Sequence, residues 1–234
     1  MSNVTEVKIK EIIQRTPQVR SFRLEVINRG DFQAGQFLRV SLKEGDEFTK
    51  YLSISSSPTE KDYIEFTKKL TQSSFSSLLN HLKVGDSVKI NYPFGDFILR
   101  KDVKKIAFLS GGIGITPIRS ICKYVVDTKL DVDLILLYGN RSLDDIAFRE
   151  DFDIMEKEFS RLKVVHVLCE KKPDFKCREG QIDGNIIKEE IPDYRERKFY
   201  LCGPPGMVTS MQDILVKQLA VKKEDIITES FRGY

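Results

Sequence analysis

The segment that most constrains the fold of this 234-residue chain lies near its middle. There the apolar run Lys105-Ile106-Ala107-Phe108-Leu109 empties into Ser110-Gly111-Gly112-Ile113-Gly114-Ile115-Thr116-Pro117, and a helical pattern follows over Ile118–Asp127. A strand that passes through glycines into a helix presents backbone N–H groups to a phosphate. Without Cβ atoms the chain turns sharply and approaches a ligand closely, and the helix N-terminus adds partial positive charge. Pro117 suits the first helical turn, where its missing N–H costs nothing. The glycine spacing is not G-x-G-x-x-G, so a tight strand-to-helix turn with no ligand is the alternative for this segment taken alone.

The chain has two grammars. Up to about residue 100 it reads as short strands of two-residue period: Val4–Ile13, Phe22–Val26, Phe37–Leu42 and Tyr63–Lys68. Turn signals separate them at Asn28-Arg29-Gly30-Asp31, Glu44-Gly45-Asp46, Val84-Gly85-Asp86 and Phe94-Gly95-Asp96. This predicts a closed antiparallel barrel, interrupted by one helix over Phe75–Leu82 with Leu78, Leu79 and Leu82 as its apolar stripe. The remainder alternates strands (Ile106–Leu109, Val132–Tyr138, Leu162–Leu168, Phe199–Cys202, Ile226–Thr228) with helices (Ile118–Asp127, Ile146–Phe159, Met207–Leu219). Such alternation predicts a parallel sheet flanked by helices, with ligands beyond the carboxyl ends of its strands. The boundary falls in Lys101–Lys104, giving a barrel domain over residues 1–103 and an α/β domain over 104–234.

Composition narrows the function. Cys122, Cys169, Cys177 and Cys202 form no C-x-x-C pair, and His81 and His166 are the only histidines, which argues against zinc, cysteine-ligated clusters and histidine-based chemistry. No metal site is expected. The N-terminus lacks the features of a leader and no segment approaches 18 apolar residues, so a cytoplasmic protein with no membrane span is expected. The net charge of +3 lies entirely in residues 1–103, which hold 16 Lys/Arg against 13 Asp/Glu, while residues 104–234 hold 22 of each. That is too little for a nucleic-acid footprint, and it suits an anionic cofactor or an acidic protein partner.

Two further segments carry chemistry. Lys50-Tyr51-Leu52-Ser53-Ile54-Ser55-Ser56-Ser57-Pro58 places a cation at one end of a strand and hydroxyls near the other, a surface suited to a flavin. Tyr200-Leu201-Cys202-Gly203-Pro204-Pro205-Gly206-Met207 is again a strand leaving through glycine into a helix, with a polarizable thiol. In this order the segments resemble the ferredoxin–NADP reductase superfamily of flavin-dependent, nicotinamide-linked oxidoreductases. Lys50–Pro58 matches the family's R-x-Y-S-x-x-S-S-P, Gly111–Pro117 its G-G-x-G-x-T-P and Cys202–Met207 its C-G-P-P-x-M. Tyr138-Gly139-Asn140-Arg141-Ser142 is similar to its Y-G-x-R-S turn, and Asn91–Phe97 to its G-P-x-G-x-F segment. The chain departs from the family at Lys50, which keeps the arginine's charge but not its bidentate fork, and at Leu52, where a tyrosine stacks on the flavin. Tyr51 replaces that ring only if the strand slips by one residue.

The resemblance implies an N-terminal Greek-key barrel binding FAD, with FMN the lesser alternative, and a Rossmann-like domain binding NADPH or NADH. Around the flavin it places Lys50, Tyr51, Leu52, Ser53, Ile54 and Ser55, then Thr67 and Lys68, then Ser73, Ser74, Phe75 and Ser76 where the family has G-x-x-S. Ser53 falls near flavin N5, and Ser73 caps the helix. Along the dinucleotide it places Gly111, Gly112, Gly114, Ile115, Thr116 and Pro117, then Asn140, Arg141 and Ser142 by the adenosine ribose, then Cys202, Gly203, Pro204, Pro205 and Met207. Cys202 matches the cysteine beside the nicotinamide, Glu229 a carboxylate that orients it, and Phe231 or Tyr234 the aromatic that covers the flavin. Ser53, Cys202 and Glu229 are thus the expected catalytic set. Arg141 and Ser142 tilt the coenzyme toward NADPH, against nearby Asp144 and Asp145. The implied reaction passes hydride from NAD(P)H to FAD. No cluster cysteines follow Met207, so electrons go on to a separate carrier such as ferredoxin or flavodoxin, or to a partner subunit. A reductase of free flavin and a non-catalytic subunit of the same fold are the alternatives.

Overall fold

The computed structural model describes residues 4–25, 31–170 and 174–230, for Ser230 the backbone alone. Phe231, Tyr234 and the Asn28-Arg29-Gly30 turn lie outside the described residues. Six strands build the first sheet: β1 (Thr5–Thr16), β2 (Val19–Glu25), β3 (Phe37–Ser41), β4 (Thr49–Ser53), β5 (Ile64–Lys69) and β6 (Ser87–Phe94). They pair antiparallel in the order β4-β3-β6-β1-β2-β5, and a bridge between Ile54 and Phe66 links the end of β4 to β5. Alternation does the sorting. Val7 and Ile9, Phe22 and Leu24, Leu38 and Val40, and Val88 and Ile90 all turn into one core while their neighbours turn to the opposite face, most of them half-buried or exposed and Ser21 and Asn91 buried there.

Helix α1 (Ser74–His81) plugs this core after Ser73, whose hydroxyl accepts from the Ser76 N–H as its cap. Its buried side chains are Phe75, Ser76 and Leu79. Leu78 and Leu82, expected to share the apolar stripe, are only half-buried. Capping at Ser73 starts the helix one residue earlier than the apolar pattern suggests, so Phe75 and Leu79 at i and i+4 define the face and Leu78 sits on its flank.

The second sheet is parallel, in the order β10-β9-β8-β7-β11-β12, from β7 (Lys105–Gly111), β8 (Asp133–Asn140), β9 (Leu162–Leu168), β10 (Arg178–Glu179), β11 (Lys198–Gly203) and β12 (Ile226–Ser230). Helices α2 (Ile115–Thr128) and α3 (Arg149–Glu158) cover one face through Ile118, Ile121, Cys122, Val125, Phe152 and Met155, and barrel-side Ala34 and Phe97 join that same core. Helices α4 (Gly184–Glu190) and α5 (Pro205–Asp213) cover the other through Ile186, Ile187, Val208 and Met211. Periodicity missed α4, a seven-residue helix held by an Asp183 cap. Helix α3 begins at Arg149 rather than Ile146, because Asp145 and Ser142 close a capped turn and Phe148 then takes a left-handed conformation (φ 61°). Among the described residues no helix is long and apolar enough to cross a membrane. Connections run to opposite sides between β7 and β11, which opens a crevice at the carboxyl end of β7.

Candidate functional site

The crevice is shaped first by main chain. Gly111 ends β7, Gly112 takes φ +52°, and a 3-10 turn over Gly112–Gly114 feeds α2. A Cβ on Gly114 would lie 2.3 Å from the Cys202 carbonyl oxygen and 2.5 Å from Gly203 Cα, so only glycine lets the first and third segments touch. The turn is braced by the Tyr138 hydroxyl, which donates to the Gly112 carbonyl (3.0 Å), and by Thr116 Oγ1, which donates to Ile113 O (3.1 Å). Ile115, Thr116 and Pro117 are buried in the first turn of α2, so they shape the loop rather than line the cleft. A cleft of about 850 Å³ opens outside the turn, bordered by Gly111, Gly112, Asn140, Arg141, Ser142, Pro204 and Met207. Gly203 lies buried behind it, and exposed Pro205 begins α5.

Register then sets the chemistry. Ser110, Cys202 and Glu229 are direct neighbours across β7, β11 and β12, so their side chains share one face. Cys202 packs in the core that the barrel also enters. Burial, and then the nearby Glu229 charge, hold the Cys202 thiol well above its usual range, so it is a neutral polarizable contact at pH 7. Burial pushes the Glu229 carboxyl up to about 7. Ser110 Oγ, Glu229 Oε2 and, from the barrel, Ser53 Oγ are all buried with no hydrogen-bond partner. Each such atom costs about 1–3 kcal/mol unless something satisfies it, which fits polar ligand groups at these positions.

On the barrel side β4 keeps a regular register, with Leu52 opposite Leu38 and Tyr51 opposite Arg39. Leu52 packs at the margin of the barrel core. Tyr51 is 61% exposed on the other face, edge-on to Phe37 (5.7 Å) and Phe94 (6.1 Å). No slip brings its ring to the Leu52 side. Lys68 is buried, and its amine is depressed by that burial and then by the charge of Lys50. A buried amine that feels the charge of a second lysine suits an anionic diphosphate. Not every expected contact is available. Ser55 Oγ donates to Glu65 Oε1 (2.8 Å) and meets Thr67 Oγ1 (2.8 Å), which meets Ser21 Oγ (2.7 Å), so these hydroxyls form an internal chain. Phe75 and Ile54 are core residues, Ser76 is buried under Ser73, and Ser74 is exposed.

The sequence reading missed how the two halves are fastened. Arg119 of α2 is 3% exposed. Its guanidinium pairs with Glu60, reaches Asp151 of α3 (2.7 Å) and donates to the Ser55 carbonyl (3.2 Å). Ser120 Oγ donates to the Ser56 carbonyl (2.7 Å). Arg15 bridges Glu65 and Asp151 at 3.2 and 3.1 Å, and Arg23 also holds Glu65 (3.1 Å). Thus the helix that begins in the glycine turn grips the segment two residues beyond Ser53. The available signal was one arginine set among Ile118, Ile121, Cys122 and Val125 on a single helix.

The family model of the oxidoreductase FAD-binding domain matches residues 6–98, and that of the oxidoreductase NAD-binding domain residues 108–213. The chain is 30% identical over 221 residues to a subunit of the Na(+)-translocating NADH-quinone reductase of Pseudoalteromonas atlantica, covering 88% of this chain and 54% of that protein. It is 30% identical over 237 residues to the phenol hydroxylase P5 protein of Acinetobacter pittii, covering 97% and 64%. A ferredoxin NADP+ reductase from Neisseria gonorrhoeae, solved with bound FAD and NADP, superposes with a TM-score of 0.82 at 21% identity over 98% of this chain and 99% of that one, a likeness of fold. The chain spans between about half and two thirds of the length of the curated relatives it matches.

Proposed function

The chain belongs to the ferredoxin–NADP reductase superfamily, and from that premise we propose that it takes electrons from NAD(P)H onto FAD and hands them to a separate acceptor. The observation that carries this reading is the set of buried, unpartnered polar atoms, Ser53 Oγ on the barrel with Ser110 Oγ and Glu229 Oε2 flanking Cys202 on the sheet. FAD, when bound, accepts two electrons together and releases them singly or as a pair. Lys50 and Lys68 would hold its diphosphate with the Ser73-capped helix, Leu52 would pack on its ring, and Ser53 would donate at the ring edge. The glycine turn would seat the coenzyme diphosphate. Cys202, a neutral thiol, would give the nicotinamide a soft contact, and Glu229, poised at about 7, would orient it and hold or release a proton. The Arg119 network would keep both surfaces at a fixed separation, where alignment supplies up to about 7–11 kcal/mol of barrier reduction.

The acceptor would be an acidic carrier protein or a partner subunit, in keeping with the positive surplus of residues 1–103. Four cysteines without disulfides suit a reducing cytoplasm. The test is anaerobic: purified protein should retain a flavin spectrum that a nicotinamide coenzyme bleaches and that an added carrier restores. Flavin that neither NADH nor NADPH bleaches would remove the reading. Leu52 in the stacking position favours one second reading, a reductase of free flavin. A colourless protein that oxidises NAD(P)H only when flavin is added would select it.

A further inference from the structure

We propose that the adenosine end of the cleft favours an unphosphorylated ribose, so that this chain takes NADH rather than NADPH, with Glu170 as the deciding residue. The inference rests on the reductase reading and names the donor for the same site. Arg141 and Ser142 are the two residues of the turn after β8 that a 2′-phosphate would need, and both are taken by carboxylates. Arg141 Nε donates to Glu170 Oε1 (2.7 Å), and the Glu170 N–H donates back to the Arg141 carbonyl (2.8 Å). The main-chain bond holds the two residues side by side. Glu170 also strengthens the hold of Arg141 on its proton. Ser142 gives both its N–H (3.2 Å) and its hydroxyl (2.8 Å) to Asp145 Oδ2.

Charge points the same way. Around the turn itself Arg141, Asp145 and Glu170 sum to one negative charge, while Lys69 from β5 also lines the cleft and brings these four wall residues to neutrality. A phosphate monoester brings about −1.5 to −2 more. Glu170 takes only the Nε–H of Arg141, so a phosphate that reached the Nη donors would sit beside a carboxylate whose charge repels it. The pair is exposed and weak in itself, so the effect lies in the like charges rather than in a bond lost. A free 2′-hydroxyl needs an acceptor, and a carboxylate is one.

The experiment compares 5′-AMP with 2′,5′-ADP by calorimetry, two probes that differ only in the 2′-phosphate, and in parallel compares flavin reduction by NADH and NADPH. The expected preference is about tenfold or more for 5′-AMP and for NADH. Glu170→Gln frees Arg141 and should narrow both ratios by about fivefold, and Glu170→Arg should narrow them further. Tighter binding of 2′,5′-ADP, or ratios that Glu170→Gln does not move, overturns the proposal. A preference for 5′-AMP without bleaching by either coenzyme supports the selectivity while removing the reductase reading, so the two failures are told apart.

Discussion

The two halves of the molecule make their ligand surfaces by different physics. On the sheet side the surface is main chain: three glycines, a 3-10 turn and strand ends whose register alone aligns Ser110, Cys202 and Glu229. On the barrel side it is made of side chains: Lys50, Leu52, Ser53 and Lys68 on strands whose backbone is ordinary. Backbone surfaces accept few substitutions because a single Cβ collides with another strand. Side-chain surfaces drift while the fold persists, and here an arginine has become Lys50 and a tyrosine Leu52 relative to the family pattern. What joins the halves is of a third kind, a nearly dry ion network in which one helix serves both.

That junction gives the largest expected effect. Burial opposes the charge on Arg119, but Glu60 and Asp151 outweigh it and hold the guanidinium firmly protonated. Arg119→Ala takes the guanidinium from the largely buried Glu60 and leaves Asp151 to Arg15, and should cost about 3–5 kcal/mol in denaturant unfolding. A loss below about 1 kcal/mol would mean that each half stands without the other. Coenzyme reduction of the flavin should suffer beyond the stability loss, because the grip on Ser55 is what carries Ser53 with α2.

Acid and base sharpen the contrast, since the junction and the sheet row titrate in opposite senses. Burial raises Glu60, but its bonds to Arg119 more than offset this, so its carboxyl lies below its ordinary value of 4.5. Its stabilisation is present above that value and is lost as pH falls through the lowered one. Glu229 is raised from 4.5 to about 7 by burial, so the native state holds a proton that the unfolded chain has released. Its contribution is full below pH 4.5 and is lost as pH climbs to about 7, by as much as about 3 kcal/mol. Glu229→Gln cannot ionise and should flatten the decline in melting temperature over that window. An unchanged profile would place the Glu229 carboxyl in water.

The legible and illegible parts divide along the same line. Gly111, Gly112 and Gly114 were readable because a backbone requirement leaves few residue choices, and the parallel sheet followed from the alternation of strand and helix. Lys50 and Leu52 were readable only through the family pattern, since a lysine and a leucine on a strand announce nothing. The direction of Tyr51 depended on register, which a sequence does not print. Arg119 was hidden because its partners Glu60 and Asp151 lie 59 and 32 residues away. Arg141 was visible as a cation, but its neutralisation by Glu170 needed the pairing of β8 with β9.

Glycine substitutions break the comparison on the sheet side. Gly114→Ala drives a Cβ into the Cys202 carbonyl and Gly203, main chain that cannot step aside, and should cost about 1–3 kcal/mol together with coenzyme binding. At Gly111 the nearest obstacle is the sulfur of Met207, 2.2 Å from the added carbon, but that sulfur sits on a flexible side chain that can rotate away. Gly111→Ala should therefore cost well under Gly114→Ala. Neither position needs a positive φ, so any difference measured by thermal unfolding reports contact alone. Equal losses would show that Met207 is as fixed as a strand.

The smallest effect is expected on the barrel side and can be a gain. Leu52→Tyr restores a ring at the margin of the core, and stacking of two aromatic systems adds about 0.5–1.5 kcal/mol beyond area burial, or roughly two- to tenfold tighter flavin binding. Fluorescence titration of flavin-stripped protein measures it, with Leu52→Phe as the companion variant should the phenol hydroxyl find no partner. Tyr51→Leu is the control, because that ring points away from the Leu52 face and packs on Phe37 and Phe94. If Tyr51→Leu loosened the flavin and Leu52→Tyr left it unchanged, the flavin surface would lie on the outer face of β4, and the side-chain description of the barrel site would have to be rebuilt around the aromatic trio. If both changed it, the ring would contact the edge of the strand rather than either face, where register no longer separates neighbouring residues.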